Sequence, residues 1–84
     1  MSYRLARGVR LRRTDGGERV LLVPEGIVTL NVSAAETLAL LDGVRDERAI
    51  AVALAERFEA PAADVERDVN ALLEDFSRRG YVER

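Results

Sequence analysis

Between positions 24 and 43 the chain reads Pro24-Glu25-Gly26, then Leu30-Asn31, then Ser33-Ala34-Ala35-Glu36, then Leu41-Asp42-Gly43. The block sets a chain-breaking turn, a short apolar strand, a helix start and a helix stop at fixed spacing, so it ties a sheet to a helix. Ser33 with Glu36 three residues later has the form of a capping box, in which hydroxyl and carboxylate each satisfy an amide at the helix start. The helix so opened runs through Leu38 and Leu41, and Gly43 suits the left-handed residue that ends it.

The sequence before the block is strand-like. Over residues 5–13, Val9 and Leu11 alternate with Arg10 and Arg12, the pattern of a half-buried strand. Thr14-Asp15-Gly16-Gly17 holds the Asp-Gly pair of a hairpin turn. Val20-Leu21-Leu22-Val23 is continuously apolar, as in a strand covered on both faces, and Ile27-Val28-Thr29-Leu30 gives a third strand. The sequence after the block is helical. A second helix starts near Asp46, aligns Ile50, Leu54 and Phe58 on one face and ends at Ala60-Pro61. A third, capped by Asp64, carries Val65, Val69, Leu72, Leu73 and Phe76 as one stripe. Arg78, Arg79 and Gly80 suit its C-terminus, where cations and a left-handed glycine belong. The expected fold is α+β and winged helix-turn-helix-like: a three-stranded antiparallel sheet followed by three α-helices.

The chain's 84 residues are expected to make one domain, 1–84. Cys and His are both absent, which removes disulfides, thiolate chemistry and the commonest general base and metal ligand. Stability must come from an aliphatic core. The first ten residues hold Arg4, Arg7 and Arg10 and no apolar run, unlike a signal peptide. No segment has the length of a membrane span, so the expected location is the cytoplasm.

Catalytic readings fail on residue type and spacing. Glu56, Glu59, Asp64, Asp68, Glu74 and Asp75 fall mostly between apolar helix positions, where charges are solvated. Acid–base chemistry needs a pair held in a cleft with shifted pKa values. Asp68 stands apart because it adjoins the stripe at Val69, and a buried or groove-facing Asp68 needs a partner. Gly16-Gly17 precedes no helix and forms no phosphate loop. Ser2, Ser33 and Ser77 have no His or Lys to activate them. No metal-ligand spacing is present, so neither an enzyme, a cofactor nor a metal site is expected.

The net charge of -2 hides an asymmetry. All thirteen basic residues are Arg; residues 1–20 hold six of them against Asp15 and Glu18, or 6 - 2 = +4, and the rest of the chain holds seven Arg against thirteen acids, or -6. An Arg-rich strand is first of all a solvated face, and second a handle for an acidic peptide or an acidic partner surface. Winged-helix regulators that bind DNA are the main alternative. However, the helix over 64–79 carries five acids and three Arg, and that over 46–59 four acids and two Arg, each -2. Such helices repel phosphate, which leaves only the Arg strand as a possible wing, and nucleic acid is not the expected partner. A structural subunit, its third strand buried by self-association, is a third possibility. Against both stands a peptide-binding module: a small open sheet has edges, and an edge strand offers unpaired N–H and C=O groups to an extended peptide.

The ordered set Leu5-Ala6-Arg7-Gly8-Val9-Arg10-Leu11-Arg12, Leu22, Pro24-Glu25-Gly26, Leu30-Asn31, Ala34 with Glu36, Leu41-Asp42-Gly43, Asp68-Val69 and Leu73 is specific where no single piece is. With it the chain resembles the PqqD family of pyrroloquinoline quinone (PQQ) biosynthesis over essentially its whole length. The resemblance implies a winged-helix peptide chaperone, or precursor-peptide recognition element, without chemistry of its own. Such a protein binds the ribosomally made precursor PqqA and presents it to the radical SAM enzyme PqqE, which joins a Glu and a Tyr of the peptide. It further implies that the peptide adds as a strand beside the third strand, in the groove with the third helix. Carried onto this chain, the binding residues are Ile27, Val28, Thr29, Leu30 and Asn31 on the strand and Asp68, Val69, Leu72, Leu73 and Phe76 on the helix. The chain departs from the pattern at Val44-Arg45-Asp46, where relatives often place a Ser or Thr cap, a task open to Asp46.

Overall fold

Two tight turns fold the N-terminal half into a meander. In the computed structural model, which describes residues 2–84, strands β1 (Arg4–Leu5), β2 (Arg10–Arg13), β3 (Arg19–Val23) and β4 (Gly26–Thr29) precede three helices. The turn between β2 and β3 closes on Thr14, whose carbonyl accepts from the Gly17 N–H at 2.9 Å and whose Oγ1 accepts from the Glu18 N–H at 3.1 Å. Gly17 sits at φ +87, a left-handed conformation that glycine adopts without cost. Pro24 and Glu25 form a two-residue loop between the paired Val23 and Gly26. The sheet order is β2-β3-β4, all antiparallel, so β3 is central and both β2 and β4 are edges. Its register places Leu11, Leu21 and Val28 in one row and Arg10, Leu22 and Ile27 in the next. Leu21 is fully buried while Ile27 is 68% exposed, so the first row faces the helices and the second faces out.

Residues 5–13 do not form one strand. Gly8 at φ +83 and a turn in which the Val9 N–H donates to the Ala6 carbonyl break the run, and the short piece before it pairs with β5 (Val82–Glu83). The two chain ends are thereby held together in a second, two-stranded sheet. Two-residue strands carry no periodicity, which is why the alternating pattern did not separate them.

The helices are α1 (Val32–Ala39), α2 (Glu47–Phe58) and α3 (Ala62–Arg78). The capping box on α1 is not formed. Asn31 is the cap, its Oδ1 accepting from the Ala34 N–H at 2.8 Å, and Ser33 lies inside the helix with its carbonyl accepting from Thr37 Oγ1. Helix α1 also stops at Ala39, before Leu41, so Gly43 at φ +78 serves the following turn rather than the helix end. Asp42 shapes that turn: its Oδ1 accepts from the N–H groups of Val44 and Arg45 at 2.9 Å each, and its Oδ2 lies 3.0 Å from Arg45 Nη1. Asp46 caps α2 as expected, accepting from the Ala49 N–H at 2.8 Å. The cap on α3 is Pro61 and not Asp64, which sits in the first turn where a carboxylate favours the helix dipole. Gly80 ends α3 as expected: its N–H donates to the Ser77 carbonyl, the Tyr81 N–H donates to the Phe76 carbonyl, and the Phe76 and Tyr81 rings meet edge-on at 5.4 Å.

Leu21, Leu38, Ile50 and Leu73 are the largest fully buried side chains, one each from β3 and the three helices, and define a shared core. Inside it Glu36 is 8% exposed, its Oε1 2.7 Å from Arg57 Nη2 of α2 and its Oε2 3.8 Å from Arg19 Nη1 of β3. The residue assigned to the capping box is thus an ionic tie between sheet and helices.

Helix α2 ends on Glu59 at φ 52, a left-handed position normally given to glycine. We expect Glu59→Gly to raise stability by about 1 kcal/mol, some 4–8 °C in Tm, with the released strain outweighing the added chain entropy. Differential scanning calorimetry measures it. A second expectation concerns pH. The Arg45 and Val44 amides hold the Asp42 carboxyl below its ordinary pKa. Its contribution is therefore complete above the unfolded value, about 4, and is lost as pH falls from there toward the lowered folded value. Thermal melts of wild type and Asp42→Asn should converge across that window and remain separated at neutral pH.

Candidate functional site

The ladder between β3 and β4 determines which main-chain groups are free. The Leu30 N–H donates to the Arg19 carbonyl at 3.0 Å, so in an antiparallel pair the groups of Leu30, Val28 and Gly26 turn toward β3. Those of Ile27 and Thr29 turn toward the open edge. No charged side chain belongs to β4, whose sequence is Gly26-Ile27-Val28-Thr29. The other edge is guarded. Strand β2 is Arg10-Leu11-Arg12-Arg13, and Arg12 Nη1 donates at 2.9 Å to the Leu11 carbonyl. Charged side chains of this kind are how edge strands avoid pairing, so the sheet has one protected edge and one available edge.

The far end of β4 leads to a groove of about 480 Å³. Asn31, Ser33, Ala34 and Thr37 at the start of α1 form one wall, Val65, Asp68, Val69 and Leu72 of α3 another, and Leu54, Phe58 and Ala60 close the end of α2. Capping by Asn31 fixes the first wall, because it starts α1 directly after the last ladder bond at Leu30. Phe58 is 42% exposed, a large apolar side chain left facing the groove by the helix that ends just beyond it. Asp68 is the one ionisable residue of the lining; it is exposed, and no hydrogen bond or ion pair to it is formed among the described residues.

The ten residues expected at a binding site separate into three groups. Asn31, Asp68, Val69 and Leu72 line the groove. Ile27 and Thr29 offer main-chain groups at the edge, and their side chains lie on the outer face of the sheet. Val28, Leu30, Leu73 and Phe76 pack into the core, with Leu73 fully buried, and their side chains do not line the groove. Thus of the two side-chain sets on the strand, Val28 and Leu30 serve the core. Sequence reasoning missed the walls given by α1 and by the end of α2. The sequence places Phe58 on one face of α2 with Ile50 and Leu54, and its position in the last turn before Ala60-Pro61 marks where that apolar face runs out of covering structure.

Among the described residues, no group of three or more His, Cys, Asp or Glu is arranged to hold a metal ion, and no helix is long and apolar enough to cross a membrane. The fold is α+β of winged-helix type, with an unguarded strand edge that leads into a largely apolar groove. The family model for Coenzyme PQQ synthesis protein D (PqqD) matches residues 18–82, and the chain belongs to the PqqD family. A PqqA binding protein of Pseudomonas aeruginosa (strain UCBPP-PA14) is 46% identical over 81 residues, 94% of this chain and 86% of that protein. The solution NMR structure of the PqqD truncation of Methylobacterium extorquens PqqCD, a functional and stand-alone recognition element for ribosomally synthesized and post-translationally modified peptides, superimposes with a TM-score of 0.85. Sequence identity to it is 35%, over 98% of this chain and 88% of that one. Lasso peptide synthetase B1 complexed with the leader peptide superimposes with a TM-score of 0.83 at 28% identity, over 100% of both chains.

Adjacent leucines on α3 test the division between core and groove. Leu73→Ala, at a fully buried site, should cost about 3 kcal/mol in urea unfolding, and Leu72→Ala, at a half-buried one, about 1 kcal/mol. Equal losses would place Leu72 in the core.

Proposed function

We propose that the chain binds the precursor peptide PqqA as an added strand on β4 and presents it to the radical SAM enzyme PqqE. In this reading it is a one-domain peptide chaperone of PQQ biosynthesis, acting in the cytoplasm and catalysing no reaction itself. The observation that carries it is the main chain of Ile27 and Thr29, open at an edge without charges and leading into an apolar groove. Support also comes from the Pseudomonas relative, named a PqqA binding protein, and from the peptide complex of the similarly folded lasso peptide synthetase B1.

Magnitudes assign the work within the site. Two edge residues offer four main-chain groups, and a net 0.5–1.5 kcal/mol per hydrogen bond makes about 4 kcal/mol. Lost translational and rotational freedom alone costs about that much or more. The edge therefore sets register and direction, and stable capture needs apolar side chains of the peptide in the groove, at about 25 cal/mol per Å² buried. Helix α3, with five acids against Arg67 and Arg78, or 2 - 5 = -3, is unsuited to a nucleic-acid groove.

Thr29→Pro tests strand addition directly. It deletes one N–H at the open edge, where proline is tolerated in strands, and removes no bond to β3. We expect PqqA affinity, read by calorimetric titration, to fall at least tenfold in Thr29→Pro while Thr29→Ala binds within about twofold of wild type. Wild-type affinity in a folded Thr29→Pro variant would contradict the strand-addition mode.

A further inference from the structure

We propose that the outer face of the three-stranded sheet docks an acidic protein surface. Resting on the function proposed above, that surface belongs to the enzyme that acts on the bound peptide.

The first observation is a census of guanidinium groups. Arg4, Arg19, Arg45, Arg48, Arg57, Arg67, Arg78 and Arg79 each reach a carboxylate within 4.0 Å. Arg84 lies over the Tyr3 ring, 4.7 Å from its centroid. Setting aside Arg84, which is engaged at Tyr3, the described arginines that reach no carboxylate are Arg7, Arg10, Arg12 and Arg13, all on β2 or in the turn before it. A chain richer in acids than in bases has left one cluster of cations unneutralised.

The second observation is what stands beside them. The register sets Arg10 opposite Leu22 and Arg12 opposite Val20, positions where an acid would make a favourable cross-strand pair and an aliphatic residue stands instead. On the far side, Leu22 is opposite Ile27, 68% exposed, and Val20, itself only 6% exposed, is opposite Thr29. The face therefore grades from guanidinium to aliphatic across three strands, with no acidic strand residue on it. Arginine beside exposed aliphatic surface suits a protein interface, whereas phosphate contacts gain nothing from Ile27.

The geometry also gives the face a purpose. A peptide strand added outside β4 becomes the fourth strand of the same sheet, and every second side chain of it points to the outer face. A partner seated across Arg10, Arg12 and Ile27 would then lie next to the residues being presented.

The test uses the full chain and purified PqqE as the probe, by biolayer interferometry at low and moderate salt, with PqqA titrated in parallel. The double variant Arg10→Glu with Arg12→Glu changes two exposed side chains and should melt like wild type. It should lose at least tenfold in enzyme affinity, wild-type binding should weaken with salt, and PqqA affinity should stay within about twofold. Arg10→Lys with Arg12→Lys should recover most of the enzyme binding. Unchanged enzyme affinity in the Glu variant, absence of wild-type binding to the enzyme, or a loss seen only for duplex DNA would each overturn the proposal. Failure of wild type to bind PqqA would instead overturn the peptide-chaperone reading, and the enzyme titration would still decide the docking face.

Discussion

The site depends on a junction of two residues. Leu30 donates the last ladder bond to Arg19, and Asn31 immediately accepts from the Ala34 N–H to begin α1. No loop separates sheet from helix, so the open edge of β4 and the first wall of the groove are parts of one rigid corner. A flexible connection would let the edge and the groove move independently, and a peptide could not be held by both at a defined register. The corner is braced from behind by Glu36, whose buried carboxylate meets Arg19 of β3 and Arg57 of α2. The arginines bracing it come from the two elements that must not slide past α1.

From this corner the surface divides. The edge of β4 carries no charge, whereas that of β2 is covered by arginines, one of them bonded to its own strand carbonyl. Under the proposed strand addition, this asymmetry leaves β4 as the edge that takes the peptide. The groove side is apolar with one carboxylate, Asp68, and the outer face is cationic beside Ile27. A protein without His or Cys thus has three chemically distinct surfaces made from main-chain polarity, aliphatic area and arginine.

Long periodic segments were legible in the sequence. The order of three strands and three helices, the cap at Asp46 and the stop at Gly80 follow from spacing and side-chain chemistry alone. What was misread depended on competition between neighbours. Asn31 and Ser33 are both good caps, and the choice of Asn31 is made by tertiary packing, which places Glu36 inward against two arginines and so removes it from any capping box. Pairing of Arg4–Leu5 with Val82–Glu83 left no local pattern to find. Within the candidate site, the stripe Val69, Leu72, Leu73 and Phe76 was legible as one apolar face, but its split into groove and core depends on α1 and the end of α2, elements distant in sequence.

Hydrogen exchange of single amides, followed by NMR with and without PqqA, tests the central claim most directly. Strand addition at β4 should slow exchange at Ile27 and Thr29, whose N–H groups face the open edge, and leave Val28 and Leu30, already bonded to β3, little changed. That alternation distinguishes an added strand from general tightening of the fold. Bound peptide with Ile27 and Thr29 still exchanging at their free rates would contradict the account.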